Sequence, residues 1–320
     1  MDMPVPMERR RAIAAGFTDR ELHGTRWRRV RRGVYLDSER VAELSLEERH
    51  LVLARAVCLA SDPHAVVSHI SAALAHGFAH WGVTTNRVHL TRDRASGART
   101  ARQVVLHAAR LEPDEVVRCG RLMVTSPART VVDLARTIPL EHSVVIGDSA
   151  LRLGAVTHAE LLEQLARSKC RPGNSAARRA VAFMDGRAES VGESRSRIAM
   201  RAAGLPSPEL QARITTPEGA CVARVDFLFP ELGVIGEFDG LMKYRAAHRG
   251  QRTAEDVVIA EKVREDALRA LGWLVVRWTW SELDTPAPWL TRLSRASTAP
   301  RIGSWYSADL PHASQTQQPL

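Results

Sequence analysis

The stretch Arg224-Val-Asp226-Phe-Leu-Phe-Pro230-Glu-Leu-Gly233-Val-Ile-Gly-Glu237-Phe-Asp239-Gly240 decides how the C-terminal part of this chain folds. Residues 221–229 alternate, with Cys221, Ala223, Val225, Phe227 and Phe229 on one expected face and Arg224 and Asp226 on the other. Residues 234–239 alternate as well, which sets Glu237 and Asp239 against Phe238. Pro230 to Gly233 supplies the turn residues of a four-residue hairpin loop. With that loop Phe229 pairs with Val234, and counting outward puts Asp226 opposite Glu237, their Cβ atoms roughly 4.5–5.5 Å apart. A slip of one residue would turn Glu237 in among Phe227 and Phe229, so the register is strongly specified. Two carboxylates this close repel unless a cation or a proton lies between them. A divalent metal meets that need; pairing with Arg224 or Arg245 is the structural alternative.

Upstream stands Gly192-Glu193-Ser194-Arg195-Ser196-Arg197; downstream, an expected helix Thr253–Leu271 leads into Gly272-Trp273-Leu-Val-Val-Arg277-Trp278. Together with the hairpin these segments resemble the catalytic core of the PD-(D/E)XK nuclease superfamily, specifically domains related to very-short-patch repair endonucleases. The resemblance covers roughly residues 188–285 and implies a restriction-endonuclease-like α/β/α domain. It assigns Asp226 as the first strand acid, Glu237-Phe238-Asp239-Gly240 as the second motif and Glu193 as the acid of the preceding helix. It implies Mg²⁺, or Mn²⁺ in its place, held by Asp226, Glu237 and Glu193, and hydrolysis of DNA phosphodiesters. These domains carry Glu-x-Lys or Glu-x-Asp-Gly on that strand, and the lysine of the first form is Asp239 in this chain. A basic residue then has to come from elsewhere: Lys243, Arg245 and Lys262 are the candidates, with Lys243 or Lys262 stabilising charge that develops on the phosphate. Read without the resemblance, Val191, Ile198 and Ala202 mark the buried stripe of the helix, and Glu193 with Arg197 makes a surface i, i+4 pair.

The chain has 320 residues, enough for two or three domains, with 45% hydrophobic and 25% charged residues and a formal net charge of +9. Arginine greatly outnumbers lysine, which points to a polyanionic partner, although a GC-rich coding sequence also enriches arginine. Cys58, Cys119, Cys170 and Cys221 lie more than fifty residues apart in sequence, which excludes a Cys-x-x-Cys zinc ribbon. No apolar run approaches the roughly 20 residues that span a bilayer, and neither a signal-peptide core nor its cleavage site is read at the N-terminus. A cytoplasmic protein with reduced thiols is the expectation.

The first 36 residues form a basic unit. Met7–Ala15 reads as a helix, Asp19–Gly24 as a second one capped by Thr18, and Val30, Val34 and Tyr35 with a bend at Gly33 as a short ribbon. Arg26, Arg28, Arg29, Arg31 and Arg32 crowd that ribbon, the layout of a winged helix-turn-helix whose wing grips phosphate. Trp27-Arg-Arg-Val-Arg-Arg-Gly-Val-Tyr35, the segment Val67–Gly77 and the segment Val124–Ala135 resemble AbiEi-type antitoxin and transcriptional regulators. That resemblance implies DNA and a partner toxin as partners.

Residues 37–166 read as a mixed α/β domain, with helices at 67–77 and 124–135, strands at Arg87–Thr91 and Gln103–His107, Ser126 as an N-cap and Pro127 at the first helical position. His76 and His80 are one helical turn apart and His69 precedes them, but no third ligand stands at helical or strand spacing, so capping or polar pockets are the expected roles. Arg129 and Asp133 are expected to form an ion pair. Residues 167–189 read as a linker, 190–295 as the nuclease-like domain and 296–320 as a disordered tail. The fold class is α+β multidomain. Metal-dependent DNA endonuclease is the expected function; a non-enzymatic regulator or antitoxin of a type IV toxin–antitoxin-like system, with a degenerate nuclease fold, is the alternative.

Overall fold

A computed structural model describes residues 5–59, 64–169, 171–240, 254–295, 301–307 and 318–319, with the backbone alone at 254–258 and 318–319. The chain is a mixed α/β protein of two units, Met1–Met184 and Asp185–Leu320.

The first unit opens with Met7–Glu8 (β1), Arg9–Ala14 (α1), Asp19–Leu22 (α2), Trp27–Arg31 (β2) and Val34–Asp37 (β3). Thr18 and Glu21 cap α2 reciprocally. Gly33 takes φ +74° at the ribbon turn, a left-handed conformation open to glycine at little cost. Met7 and Glu8 do not start the first helix as expected. They pair with Tyr35 and Val34, and the amide of Arg9 donates to Gly33 O at 2.8 Å, so the helix begins only after that edge strand. Ala12, Leu22 and Tyr35 form the small core beneath.

Ser38–Ala42 (α3) and Leu46–Leu59 (α4) follow, then Val66–Val67 (β4), His69–Ala75 (α5), Val88–Arg92 (β5), Arg99–Thr100 (β6), Val104–Ala108 (β7), Val116–Cys119 (β8) and Leu122–Thr125 (β9). The strands lie in the order β6-β7-β5-β4-β9-β8. Val88, Leu90, Leu106 and Val124 bury one face of this sheet against Ala54 and Val57 of α4 and Ala72 of α5. Pro127–Thr137 (α6), Leu140–Arg152 (α7), His158–Arg167 (α8) and Asn174–Phe183 (α9) complete the unit. Ser126 caps α6 with Pro127 next, as expected.

The segment 167–189 is not a linker throughout. Ala177, Ala180 and Val181, fully buried at helical spacing, pack α9 into the helical layer. An alanine-poor stripe would have been easier to see; small side chains carry little apolar signal.

In the second unit Val191–Ala202 (α10) precedes Glu209–Thr215 (β10), Cys221–Phe229 (β11) and Val234–Asp239 (β12). Ala254–Ala270 (α11) crosses over to Leu274–Thr279 (β13), which lies parallel to β12. Trp280–Leu283 (α12), Ala287–Leu293 (α13), Ser304–Tyr306 (β14) and Gln318–Pro319 (β15) close the chain, and the sheet order is β13-β12-β11-β10-β14-β15. The expected tail therefore contributes a strand: Ser304, Trp305 and Tyr306 pair with Thr215, Ile214 and Arg213. Three residues are too few for period-two patterning to reveal.

One face of this sheet packs Phe227, Phe229, Val234 and Trp278 against Met200 of α10 and Trp289 of α13. Trp278 stacks on Trp289 at 4.4 Å, and its Nε1 donates to Ser196 Oγ at 2.7 Å. The other face packs Ala223, Val225, Leu228 and Ile235 against Leu268 and Leu271. Ala223 and Val225 thus sit opposite Phe227 and Phe229, not beside them as strict alternation predicts. The pleat inverts at Asp226 and at Gln211, whose φ of +55° reverses β10 at the same level.

Candidate active site

The hairpin register is the expected one: Phe229 pairs with Val234, Leu228 with Ile235 and Phe227 with Gly236. The next pair outward is Asp226 with Glu237. There the main-chain ladder ends, and the Asp226 carboxylate accepts the amide of Phe238 at 2.9 Å. Gln211 stands at the level of Asp226 on β10, since Leu210 pairs with Phe227 and Ala212 with Val225. Arg277 of β13 is paired with Glu237. A polar row, Gln211–Asp226–Glu237–Arg277, therefore crosses the four strands β10 to β13 at one level.

Asp226, Glu237 and Asp239 line one cleft of about 150 Å³, together with Glu261, Arg264 and Arg277. Four carboxylates face two guanidiniums, which leaves the cleft acidic in a chain that is basic as a whole. Glu237 is buried, 7% exposed. Arg264 forms an ion pair with it, and Arg277 reaches its other oxygen at 3.0 Å. Arg264 and Arg277 also contact Glu261. Arginines of β13 and α11, rather than Arg224, supply the countercharge. Arg224 pairs with Glu189 instead at 2.8 Å.

Glu193 lies on the other side of the sheet. It is 3% exposed, accepting from the Glu189 amide at 2.8 Å, Ser190 Oγ at 2.7 Å and Gln211 Nε2 at 3.0 Å. Glu193 and Arg197 are both buried and so cannot form the expected surface pair, and the expected stripe through Val191, Ile198 and Ala202 is not the buried face. Gly192, Ser196 and Met200 face the sheet instead, with the Phe238 ring so close to Gly192 that an added Cβ would meet it at 2.0 Å. Polar residues occupy that face because Ser196 and Glu193 find hydrogen-bond partners there. Glu193 is thus joined to the row through Gln211, whose left-handed backbone and buried amide sequence patterning did not single out. Such strained residues concentrate at functional sites.

Lys262 is exposed on α11 and does not line the cleft. Lys243 and Arg245 lie outside the described residues. Among the described residues, Asp226, Glu237, Asp239 and Glu193 do not bring three ligand atoms within 4.8 Å of one another; His69, His89 and His107 do. Burial and the neighbouring imidazoles hold His69 well below the ordinary histidine range, and burial brings His89 down to about 4. His76 Nε2 donates to Thr125 O at 2.8 Å, a polar pocket of the expected kind.

Burial pushes Glu237 up to about 7, against Arg264 and Arg277, and the charges of Asp226 and Glu261 push the same way. A carboxyl raised in the folded chain favours folding while protonated. That contribution is whole below about 4.5 and is lost as pH rises through about 7. Wild type is expected to lose stability relative to Glu237→Gln across this window, by up to about 1.4 kcal/mol per pH unit. Urea unfolding of the two chains from pH 4 to 8, reading roughly parallel profiles, would contradict the burial of an ionisable Glu237.

The ribbon arginines diverge in setting. Arg26, Arg28, Arg29 and Arg32 are exposed, whereas Arg31 is half-buried and donates to Val57 O at 3.3 Å. Arg26 sits 5.8 Å from the Phe17 ring centroid and 5.9 Å from that of Trp27. Arg28 and Arg29 line a cleft of about 210 Å³ with Arg49 and Gln103.

No protein-family model matches the chain. Two curated relatives from Mycobacterium tuberculosis, uncharacterized protein MT2308 of strain CDC 1551 and uncharacterized protein Rv2248 of strain H37Rv, are each 37% identical to it over 157 residues, which is 49% of this chain and 54% of theirs. The chain spans about half the length of these relatives. No helix among the described residues is long and apolar enough to cross a membrane.

Proposed function

We propose that this is a DNA-binding protein whose C-terminal unit is a PD-(D/E)XK-like domain that hydrolyses phosphodiesters with Mg²⁺. The observation that carries the reading is the row Gln211–Asp226–Glu237–Arg277, with Asp239 and Glu261 beside it in one acidic cleft. Carboxylate oxygen is the donor that Mg²⁺ and Mn²⁺ prefer, and Asp226 and Glu237 would hold the ion, with waters completing its shell. When bound, it would polarise the phosphate and lower the pKa of an attacking water. In that role Glu237 would be ionised and would exchange its contacts with Arg264 and Arg277 for the ion. Arg264 and Arg277, still held by Glu261, would offer forked donors to the phosphate and would serve in place of the lysine that the Glu-x-Lys form carries at the position of Asp239. Glu193 and Gln211 hold the Asp226 strand in its inverted pleat.

A second reading keeps the same site without turnover: a regulator or antitoxin, with a partner toxin, in which Arg264 and Arg277 permanently occupy Glu237. Their contacts with Glu237 favour it, as does Asp239. The two readings separate on supercoiled plasmid incubated with the full chain in Mg²⁺, in Mn²⁺ and in excess EDTA. Nicked product confined to the metal samples supports hydrolysis; plasmid bound but intact in all three supports the regulator.

The N-terminal ribbon supports phosphate-dominated binding by a winged helix-turn-helix joined to an AbiEi-like middle region. Arg28, Arg29 and Arg32 are the exposed strand and turn cations. Their joint replacement by alanine is expected to reduce the slope of log affinity against log salt by about 2.7, at roughly 0.9 per contact, and to weaken all sequences alike. Arg31→Ala should change the slope little, since that guanidinium serves Val57 O. An unchanged slope in the triple variant would place the DNA surface elsewhere.

A further inference from the structure

Three imidazoles meet on the polar face of the N-terminal unit's sheet. The parallel register of β5 and β7 sets His89 beside Val105 and Thr91 beside His107. Both histidines therefore share a face, away from Val88, Leu90 and Leu106 in the apolar cluster. His69 enters from the first position of α5. One nitrogen of each ring lies within 4.8 Å of those of the other two. His89 Nδ1 and His107 Nε2 are 3.1 Å apart, close to the roughly 3.3 Å edge of a tetrahedron with metal–nitrogen bonds near 2.05 Å.

The surroundings position His69. Its Nδ1 lies 3.0 Å from Ser68 Oγ, which also accepts from Thr91 Oγ1 at 2.8 Å. With the proton on Nδ1 the ring donates to Ser68, and Nε2 keeps the lone pair, the usual outer-shell arrangement of a ligating histidine. The His69 backbone has φ +51°, which a non-glycine residue adopts at a cost and keeps where surrounding structure demands it. The His69 and His107 rings stack, with centroids 3.7 Å apart and planes nearly parallel, so the His107 ring has to turn for both in-plane lone pairs to reach one ion. Asp133, Arg129 and Arg136 of α6, Arg87 just before β5 and the His50 imidazole have fields that reach the cluster, and Arg129 is paired with Glu115 and Asp133.

We propose that His69, His89 and His107 form a binding site for a divalent transition metal of the Zn²⁺ type, with its fourth position open to water or a ligand. An all-imidazole donor set suits zinc and disfavours Mg²⁺. His89 and His107 are half-buried, so the open position has a route to solvent. This site lies in a different unit from the acidic cleft and stands independently of the nuclease reading.

The test uses the full chain without an affinity tag, stripped with chelator and titrated with Zn²⁺ in excess Mg²⁺, then with Co²⁺ as a spectroscopic probe. One tight equivalent of Zn²⁺ and the intense visible bands of four-coordinate Co²⁺ are expected. His89→Asn and His107→Gln should each weaken Zn²⁺ by at least about 100-fold, more than loss of an outer-shell partner alone. His76→Gln and Glu237→Ala, outside the cluster, should retain the equivalent. Circular dichroism checks that each variant folds; where one does not, the wild-type stoichiometry and Co²⁺ spectrum decide. No tight equivalent in wild type, six-coordinate Co²⁺ bands, or unaltered affinity in a folded His107→Gln chain would overturn the proposal.

Discussion

Replacing Glu237 with alanine is expected to lower Mg²⁺-dependent DNA cleavage by at least about a thousandfold without lowering DNA affinity. The carboxylate stands at the centre of the polar row, opposite Asp226 and paired in register with Arg277. Removing one of two or three oxygen ligands forfeits most of the affinity for a hard cation. Alanine also leaves Arg264 and Arg277 facing the cleft without their buried partner, which strengthens any non-specific hold on phosphate. Affinity should therefore stay constant or rise while cleavage falls. Undiminished cleavage by a folded Glu237→Ala chain would remove the hydrolytic reading of this cleft.

The largest effect on stability is expected at Arg129. Its side chain is completely buried and donates to Glu115 Oε2 and Asp133 Oδ2, each at 2.6 Å, and to Arg110 O at 3.0 Å. Glu115 also accepts from Gln164 at 2.6 Å and Asp133 from Arg136 at 2.9 Å, so one network joins the 3₁₀ turn before β8 to α6 and α8. Arg129→Ala leaves buried Glu115 with Gln164 but no countercharge and buried Asp133 with Arg136 alone, and removal of one partner from a buried charge network typically costs about 3–5 kcal/mol. For a unit of this size that is a fall of roughly 6–20 °C in the unit's thermal transition. Arg129→Lys, which keeps the charge but not the fork, should fall between the two. A shift of only a degree or two in Arg129→Ala would show the network to be energetically idle.

The register of the hairpin was legible because two local signals agree: turn residues at Pro230 and Gly233, and alternation through Glu237 and Asp239. Thr18, Ser126 and Pro127 were legible for the same reason, since caps act within three residues. What escaped depends on partners distant in sequence. Arg264 and Arg277 reach Glu237 only once α11 and β13 have closed on the hairpin. The pleat inversion at Asp226 is invisible in β11, whose residues alternate faithfully, because its cause is the left-handed Gln211 on another strand. The buried face of α10 was misread because Gly192 and Ser196 look polar and small, yet Phe238 and Trp278 complete them. His89 and His107 lie eighteen residues apart on parallel strands, a separation without any periodic signature, and His69 was read beside His76 and His80 instead.

The central claim is that Asp226 and Glu237 act as a metal-dependent pair, and Asp226→Asn tests it most directly. The change keeps the shape and an oxygen for the Phe238 amide but removes the charge. Initial nicking rates on supercoiled plasmid should be measured for wild type and Asp226→Asn in Mg²⁺ and in excess EDTA. Wild type should nick only with Mg²⁺, and Asp226→Asn should lose that activity while still binding the plasmid. Equal rates for the two chains in Mg²⁺, or wild-type nicking that persists in EDTA, would contradict the account.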